Sequence, residues 1–273
     1  MMKVVIPKRV WQYPMSVERG YKQWLKKYIK SITQSIKDNI VPIQSFIASH
    51  YRQDDEGSYD EQLSLAISTA IQASMTQEQI ETALTNLYTE TDLYNKGQIE
   101  AVYKSLGQAP IVYSGDAENT LRSQFTQQNR MLVESIRTDI RTKLIYEINN
   151  QVNNGYDEAE IIAVVNKAKE QAYKRADKIA HNEIGNLDGR MCKQRQRANG
   201  ITHYQWRTVR DERVRPWHAE REGKIFSWNN PPFDGHPREA PFCRCEPAPC
   251  IPWNNLIGIS RQKNIPGAEV RDI

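Results

Sequence analysis

The stretch "PREAPFCRCEPAPC", residues 237–250, holds three of the chain's four cysteines among four prolines. So Pro-rich a segment cannot bury enough apolar surface to hold itself. It must lean on neighbouring structure, bind a staple, or do both. The donors available for a staple are His218, His236, Cys243, Cys245 and Cys250. Zinc takes four N or S ligands tetrahedrally, and a mixture of thiolate and imidazole suits it. The chain has no CxxC pair, but Cys-x-Cys can chelate one metal. A structural zinc would thus draw on His218, Cys243 and Cys245, with His236 or Cys250 as the fourth ligand. The alternative is that the thiols pack as small hydrophobes and the histidines serve as hydrogen-bonding core groups.

Immediately upstream, "ITHYQWRTV" (201–209) alternates and is rich in Thr, Tyr, Trp and Val, which predicts a strand. "KIFSW" (224–228) predicts a second, with the charged turn "RDERVRPWHAEREG" between them. Beyond Trp228, the prolines at 231, 232, 237, 241, 247, 249 and 252 predict irregular chain. Residues 200–253 thus form a small β-containing module, followed by a loosely held tail, 254–273. In the turn, Asp211 is expected to accept backbone N–H groups, and a nearby Arg to fork onto a carboxylate. Arg244, between two candidate ligands, is expected to pair with Asp211 and tie the module's halves together. Trp206, Asp211, Arg213 and Arg244 are therefore read as structural.

Before residue 200 the pattern is helical. Leu25, Ile29, Ile32, Ile36, Ile40, Ile43 and Ile47 recur at three- and four-residue steps, with a break expected at Pro42. "YRQDDEGS" (51–58) is a polar break. Leu63, Ala66, Ile67, Ala70 and Ile71 mark a second helix. Thr76 and Gln79 have capping-box spacing ahead of a third, through Ile80, Leu84 and Leu87. A loop is expected over 105–116, then a long helix along Leu132, Ile136, Ile140, Leu144 and Ile148. After "NNGYD" (153–157), with Asp157 as N-cap, Ile161, Val165, Ala168, Ala172 and Ala176 lead a helix that ends near Ala198 at "NG". The predicted fold is α+β: an elongated, mostly helical N-terminal two-thirds (1–110, then 111–199) and a small C-terminal β module.

Hydrophobic residues at 39% and charged residues at 26% exclude a disordered chain. No apolar run approaches the roughly 20 residues of a membrane span, and the start has no apolar signal region. Synthesis and assembly in a cytoplasm are expected, where a disulfide framework is not. Net charge is only +4, but residues 190–215 carry eight Lys or Arg against Asp211 and Glu212. Arg190, Lys193, Arg195, Arg197, Arg207 and Arg210, interleaved with Tyr204 and Trp206, are candidate phosphate contacts. A charge run is more often simply a solvated face.

The spaced elements "YQWRTVRDERVRPWHAEREGKIFSW", "PP" and "HPREAPFCRC" resemble the C-terminal domain of the phage Mu F-like head-morphogenesis family, minor capsid proteins of tailed bacteriophages. That family shows a Trp-bearing strand, Asp-x-Arg-Val, a Cys or His, Gly-Lys-x-Phe, prolines, and a closing Pro-x-Cys-Arg-Cys. The matching positions are Trp206, Asp211, Arg213, Val214, His218, Gly223, Lys224, Phe226, Pro232, Pro241, Cys243, Arg244 and Cys245. The likeness covers about residues 170–248. One departure stands out: many members carry Cys-x-x-Cys where this chain has Arg215-Pro216-Trp217-His218.

The resemblance implies a non-enzymatic minor capsid protein that binds the portal vertex inside the phage head, with residues 1–110 as the docking region. It also implies the portal protein as partner, with major capsid or scaffolding protein and double-stranded DNA as further ones, no membrane during assembly, and a role near or with the genome on ejection. Two alternatives compete. A metal-dependent His-Asn-His-type nuclease needs a base histidine and metal ligands on a β-β-helix hairpin; His203 and His218 lie near strands, but only prolines follow the second strand. A zinc-stapled DNA-binding protein is the other.

Overall fold

The structure is a computed structural model describing residues 1–9, 11–50, 56–72, 74–109, 116–152, 158–256 and 265–273. Side chains of 40–50, 56–60, 62–63, 116–117 and 149–152 lie outside that description, as do residues 110–115 of the loop predicted over 105–116, the turn at 153–157 and its cap Asp157. Five long helices are present among the described residues: α1 (Met15–His50), α2 (Glu56–Gln72), α3 (Gln77–Ser105), α4 (Asp116–Val152) and α5 (Glu158–Ala198). The chain divides into two compact units.

One unit comprises Arg19–Asn86 and Thr126–Ala180 and is helical. Its buried residues are the predicted stripes: Leu25, Ile29, Ile32 and Ile36 on α1, Ala66, Ile67, Ala70 and Ile71 on α2, and Ile80 and Leu84 on α3. From α4 come Ile136, Ile140, Leu144 and Ile148, and from α5 Ile161, Val165 and Ala176. Val133 is buried where Leu132 was expected; Leu132 is only half-buried. The capping box forms as spaced: Thr76 N–H donates to Gln79 Oε1 at 3.0 Å, and Gln79 N–H to Thr76 Oγ1 at 3.2 Å. One expectation fails. Helix α1 runs through Pro42 to His50. A proline deletes a single donor from the ladder, and the many remaining bonds of a helix this long carry the chain past it.

The other unit gathers Met1–Glu18, Leu87–Phe125 and His181–Ile273. It holds two three-stranded antiparallel sheets. In the first, β2 (His203–Arg207) lies between β3 (Ile225–Ser227) and β4 (Glu246–Pro249). In the second, β1 (Lys3–Pro7) lies between β5 (Ile251–Pro252) and β6 (Ala268–Asp272). A one-turn helix, α6 (Pro216–Ala219), sits between β2 and β3.

Strands β2 and β3 match the sequence reading, whereas β4, β5 and β6 correct it. The Pro-rich segment was expected to be irregular, yet Pro247 and Pro249 stand opposite Trp206 and Tyr204 in a regular ladder. The register explains how. Cys250 N–H bonds His203 O at 3.0 Å, so the hydrogen-bonded pairs of the ladder fall at 250, 248 and 246. The prolines occupy the alternate positions, where an N–H would point away from β2, and β4 is the sheet's edge. The tail is likewise no loose end. Residues of β6 pair with β1 from Lys3↔Asp272 to Pro7↔Ala268, and Met2 and Ile273 exchange backbone bonds of 2.8 and 2.9 Å. Residues 257–264 of that tail lie outside the described residues.

Both faces of β1 are covered, so all of Val4, Val5 and Ile6 are buried. Alternation sends Val5 into a cluster with Trp11, Val102, Tyr103, Cys192 and Ile251. Val4 and Ile6 face Ala248 and Cys250 instead.

Candidate functional site

Tyr204 and Trp206, two apart on β2, point to one face and meet Trp228, Cys243 and Cys245. Over this floor lies α6. Pro216 opens that turn with its φ already helical, which carries His218 inward while Trp217 stays 42% exposed. The loop before β4 comes in from the other side. Phe242 takes φ +58°, a left-handed conformation that a residue with a side chain adopts only when its surroundings impose it. Its ring stacks on His181 at 5.7 Å and its N–H is held by Asn182 Oδ1 at 2.9 Å. After that bend Cys243 and Cys245 face inward, and Arg244 between them faces Asp211.

The result is a compact donor set. His218, Cys243 and Cys245 are 1%, 5% and 2% exposed, and their ligating atoms all lie within 4.8 Å of one another. His218 Nδ1 is 3.4 Å from the Cys245 sulfur and 3.7 Å from that of Cys243. Its other nitrogen, Nε2, meets Asp234 Oδ2 at 2.8 Å. The same carboxylate accepts from Trp217 Nε1 at 2.8 Å and Arg221 at 2.6 Å, and these donors hold its pKa down at about 2 against the cost of burial. An ionised Asp234 keeps the proton on Nε2 and leaves Nδ1 a lone pair aimed at the sulfurs. The closeness of the two thiols, with the Arg238 N–H on Cys243, favours the thiolate at Cys243 and disfavours it at Cys245.

His236 and Cys250 stand apart from this set. His236 Nδ1 bonds the Tyr204 hydroxyl at 2.9 Å, and its ring packs on Trp228; burial, then nearby Lys193, hold its pKa below the usual histidine range. Cys250 faces Val4 and Ile6 on the second sheet, its thiol pushed up to about 12 by burial. Cys192, also buried, is raised for the same reason.

Arg244 forks onto Asp211 with bonds of 2.6 and 2.7 Å, and Asp211 also accepts the Arg213 N–H at 3.1 Å. Arg213 itself projects outward, 3.5 Å from the same carboxylate. The six candidate phosphate contacts are not equivalent. Arg195 is buried, paired with Asp92 at 2.5 Å and with Asn95, and so is withdrawn from any external ligand. Arg207 donates to Pro7 O at 2.7 Å, holding the end of β1. Arg190 bonds Gln124, and Lys193 lies 5.8 Å over the Trp228 ring. Arg197 is exposed, and Arg210, also exposed, pairs with Glu222 at 2.9 Å.

Several residues at the site carry no spacing signature and escape the sequence reading: Asp234, Arg221, and Gln196 of α5. Gln196 donates to Pro247 O at 2.8 Å and accepts from Trp228 Nε1 at 3.0 Å, joining helix, edge strand and floor. Arg238, also at positive φ, is buried between Asp188 and Glu246.

Residues 142–248 match the family described as Phage Mu protein F like protein. This bears out the resemblance, extends it upstream of residue 170 into α4, and encloses His218, Asp234, Cys243 and Cys245. A protein of Haemophilus influenzae, described as uncharacterized, is 26% identical over 246 residues, 88% of this chain and 54% of that protein. The chain thus spans about half the length of this curated relative. No solved structure matches it.

Proposed function

We propose that the protein is a non-enzymatic minor capsid, or head-morphogenesis, protein that binds the portal vertex inside a phage head. The family match over 142–248 carries the head-morphogenesis reading. Docking is its mechanism: a surface of the helical regions meets the portal, and the fastened C-terminal module is presented towards the lumen and the genome. The module's build favours a scaffold over a reaction centre. Both nitrogens of His218 are engaged internally, and His203 belongs to no cluster of metal-ligating groups among the described residues, so neither meets the needs of a His-Asn-His nuclease. Among the described residues no helix is long and apolar enough to cross a membrane.

Co-purification with the portal protein of the same phage, together with mass spectrometry of assembled particles, tests the reading. Retention on the portal and presence in particles are expected. Absence from particles, or turnover of a substrate by the pure chain, overturns it. Genome contact is a separate arm. Of the six candidates Arg197 and Arg210 are exposed, so binding to duplex DNA should weaken steeply with salt, and each of these arginines replaced by Ala should reduce the logarithmic salt slope by about 1.

A further inference from the structure

We propose that His218, Cys243 and Cys245 hold one zinc ion through Nδ1 and two thiolates, with a water molecule completing its coordination, and that this ion fastens loop 237–245 to α6. The inference does not depend on the role in head assembly.

Geometry supports it first. A tetrahedral zinc with bonds of about 2.3 Å to sulfur and about 2.0 Å to nitrogen separates the two donors by about 3.6 Å. The observed separations of 3.4 and 3.7 Å bracket that value. A neutral imidazole held by a carboxylate on its far nitrogen is the usual second layer of a zinc-bound histidine, and Asp234 supplies it. Asp234 is itself fixed by Trp217 and Arg221, so the ring cannot turn away.

The chain also spends conformational energy to bring the donors together. Phe242 at φ +58° and Arg238 at φ +74° flank the turn that delivers Cys243, and neither is a glycine. The Phe242 stack on His181, its bond to Asn182 and the pairs of Arg238 with Asp188 and Glu246 offset part of that cost, and two metal–sulfur bonds would offset more.

The fourth position follows from what lies over the donors. His236 and Cys250 fall outside the donor set. A cleft lined by Val209, Arg213, Arg215 and Phe242 reaches the three donors and holds about 10 Å³, room for about one water molecule. Apart from the three donors themselves, no side chain of that lining, among the described residues, has a lone pair to give, since arginine is a donor only. Water fits; a substrate does not. The same constellation, thiol, imidazole and carboxylate, also describes a cysteine nucleophile, but thiols this buried beneath so small a cleft have nothing to attack.

Metal analysis of the full chain, purified and dialysed, is the test. We expect one zinc per chain, lost in Cys243→Ser, Cys245→Ser and His218→Ala but kept in Cys192→Ala, Cys250→Ala and His236→Gln. If the first three variants do not fold, cobalt replaces zinc in the unaltered chain. Its spectrum should then show tetrahedral bands and sulfur charge transfer of two-thiolate strength. A chain that takes up no zinc overturns the proposal. So does charge transfer of three- or four-thiolate strength, or rapid alkylation of Cys243 in the zinc-supplemented protein.

Discussion

Asp234 accepts from Trp217, His218 and Arg221 at once, and its loss would strand all three. Asp234→Ala should therefore lower stability by about 2–4 kcal/mol in urea unfolding, because it leaves a guanidinium and an imidazole partly buried and unpaired. Asp234→Asn, which keeps one acceptor oxygen, should cost less. The half-buried pair of Asp211 and Arg244 behaves differently. The Arg244 guanidinium lowers the Asp211 carboxyl from 3.8 to about 2. The unfolded chain therefore binds the proton first on acidification, and the pair's contribution, full above pH 4, is lost as pH falls to about 2. Acid titrations of unfolding for wild type and Asp211→Asn should converge below that pH and separate above it. The Asp211–Arg244 pair was legible because turn chemistry places an acid at a hairpin and an arginine between two inward cysteines. Asp234 was not, because no spacing rule links an acid to a histidine that meets it only through folding.

Among the elements, the helices were the most readable part of the chain, since three- and four-residue apolar steps survive into buried stripes. The capping box at Thr76 could be named from two residues; Thr76→Ala should cost about 1 kcal/mol, read as a lowered melting temperature. Strand β4 was hidden because proline usually argues against a strand, and only the register shows that 247 and 249 are the positions that spare the ladder. Pro249→Ala should then leave the ladder intact and cost about 1–2 kcal/mol, through lost packing of the buried ring and a freer unfolded chain. Ala248→Pro, which removes a ladder donor, should be far worse. Where α5 passes the Cys-Arg-Cys loop, Gly189 lets the backbone approach: a Cβ there would sit 3.1 Å from that of Arg238 and 3.3 Å from Pro237 O. Gly189→Val should force the two apart, at about 1–3 kcal/mol, measured by denaturant unfolding.

At the scale of the whole molecule, the unit that carries the site is assembled from three separate stretches of chain. A fragment of residues 200–273 lacks both Gln196, which joins α5 to β4, and the central strand β1. It should give the spectrum of an unfolded chain, whereas the intact protein melts cooperatively. The sequence concealed this arrangement because "KVVIP" and "AEVRD" are short, far apart and unmarked by any turn. Their pairing has a consequence in time. During translation β1 leaves the ribosome long before either of its partners exists, an apolar ribbon with two unsatisfied edges. Until synthesis has passed Asp272, the nascent chain has to keep Val4, Val5 and Ile6 from joining strangers, and that interval sets the demand for a chaperone.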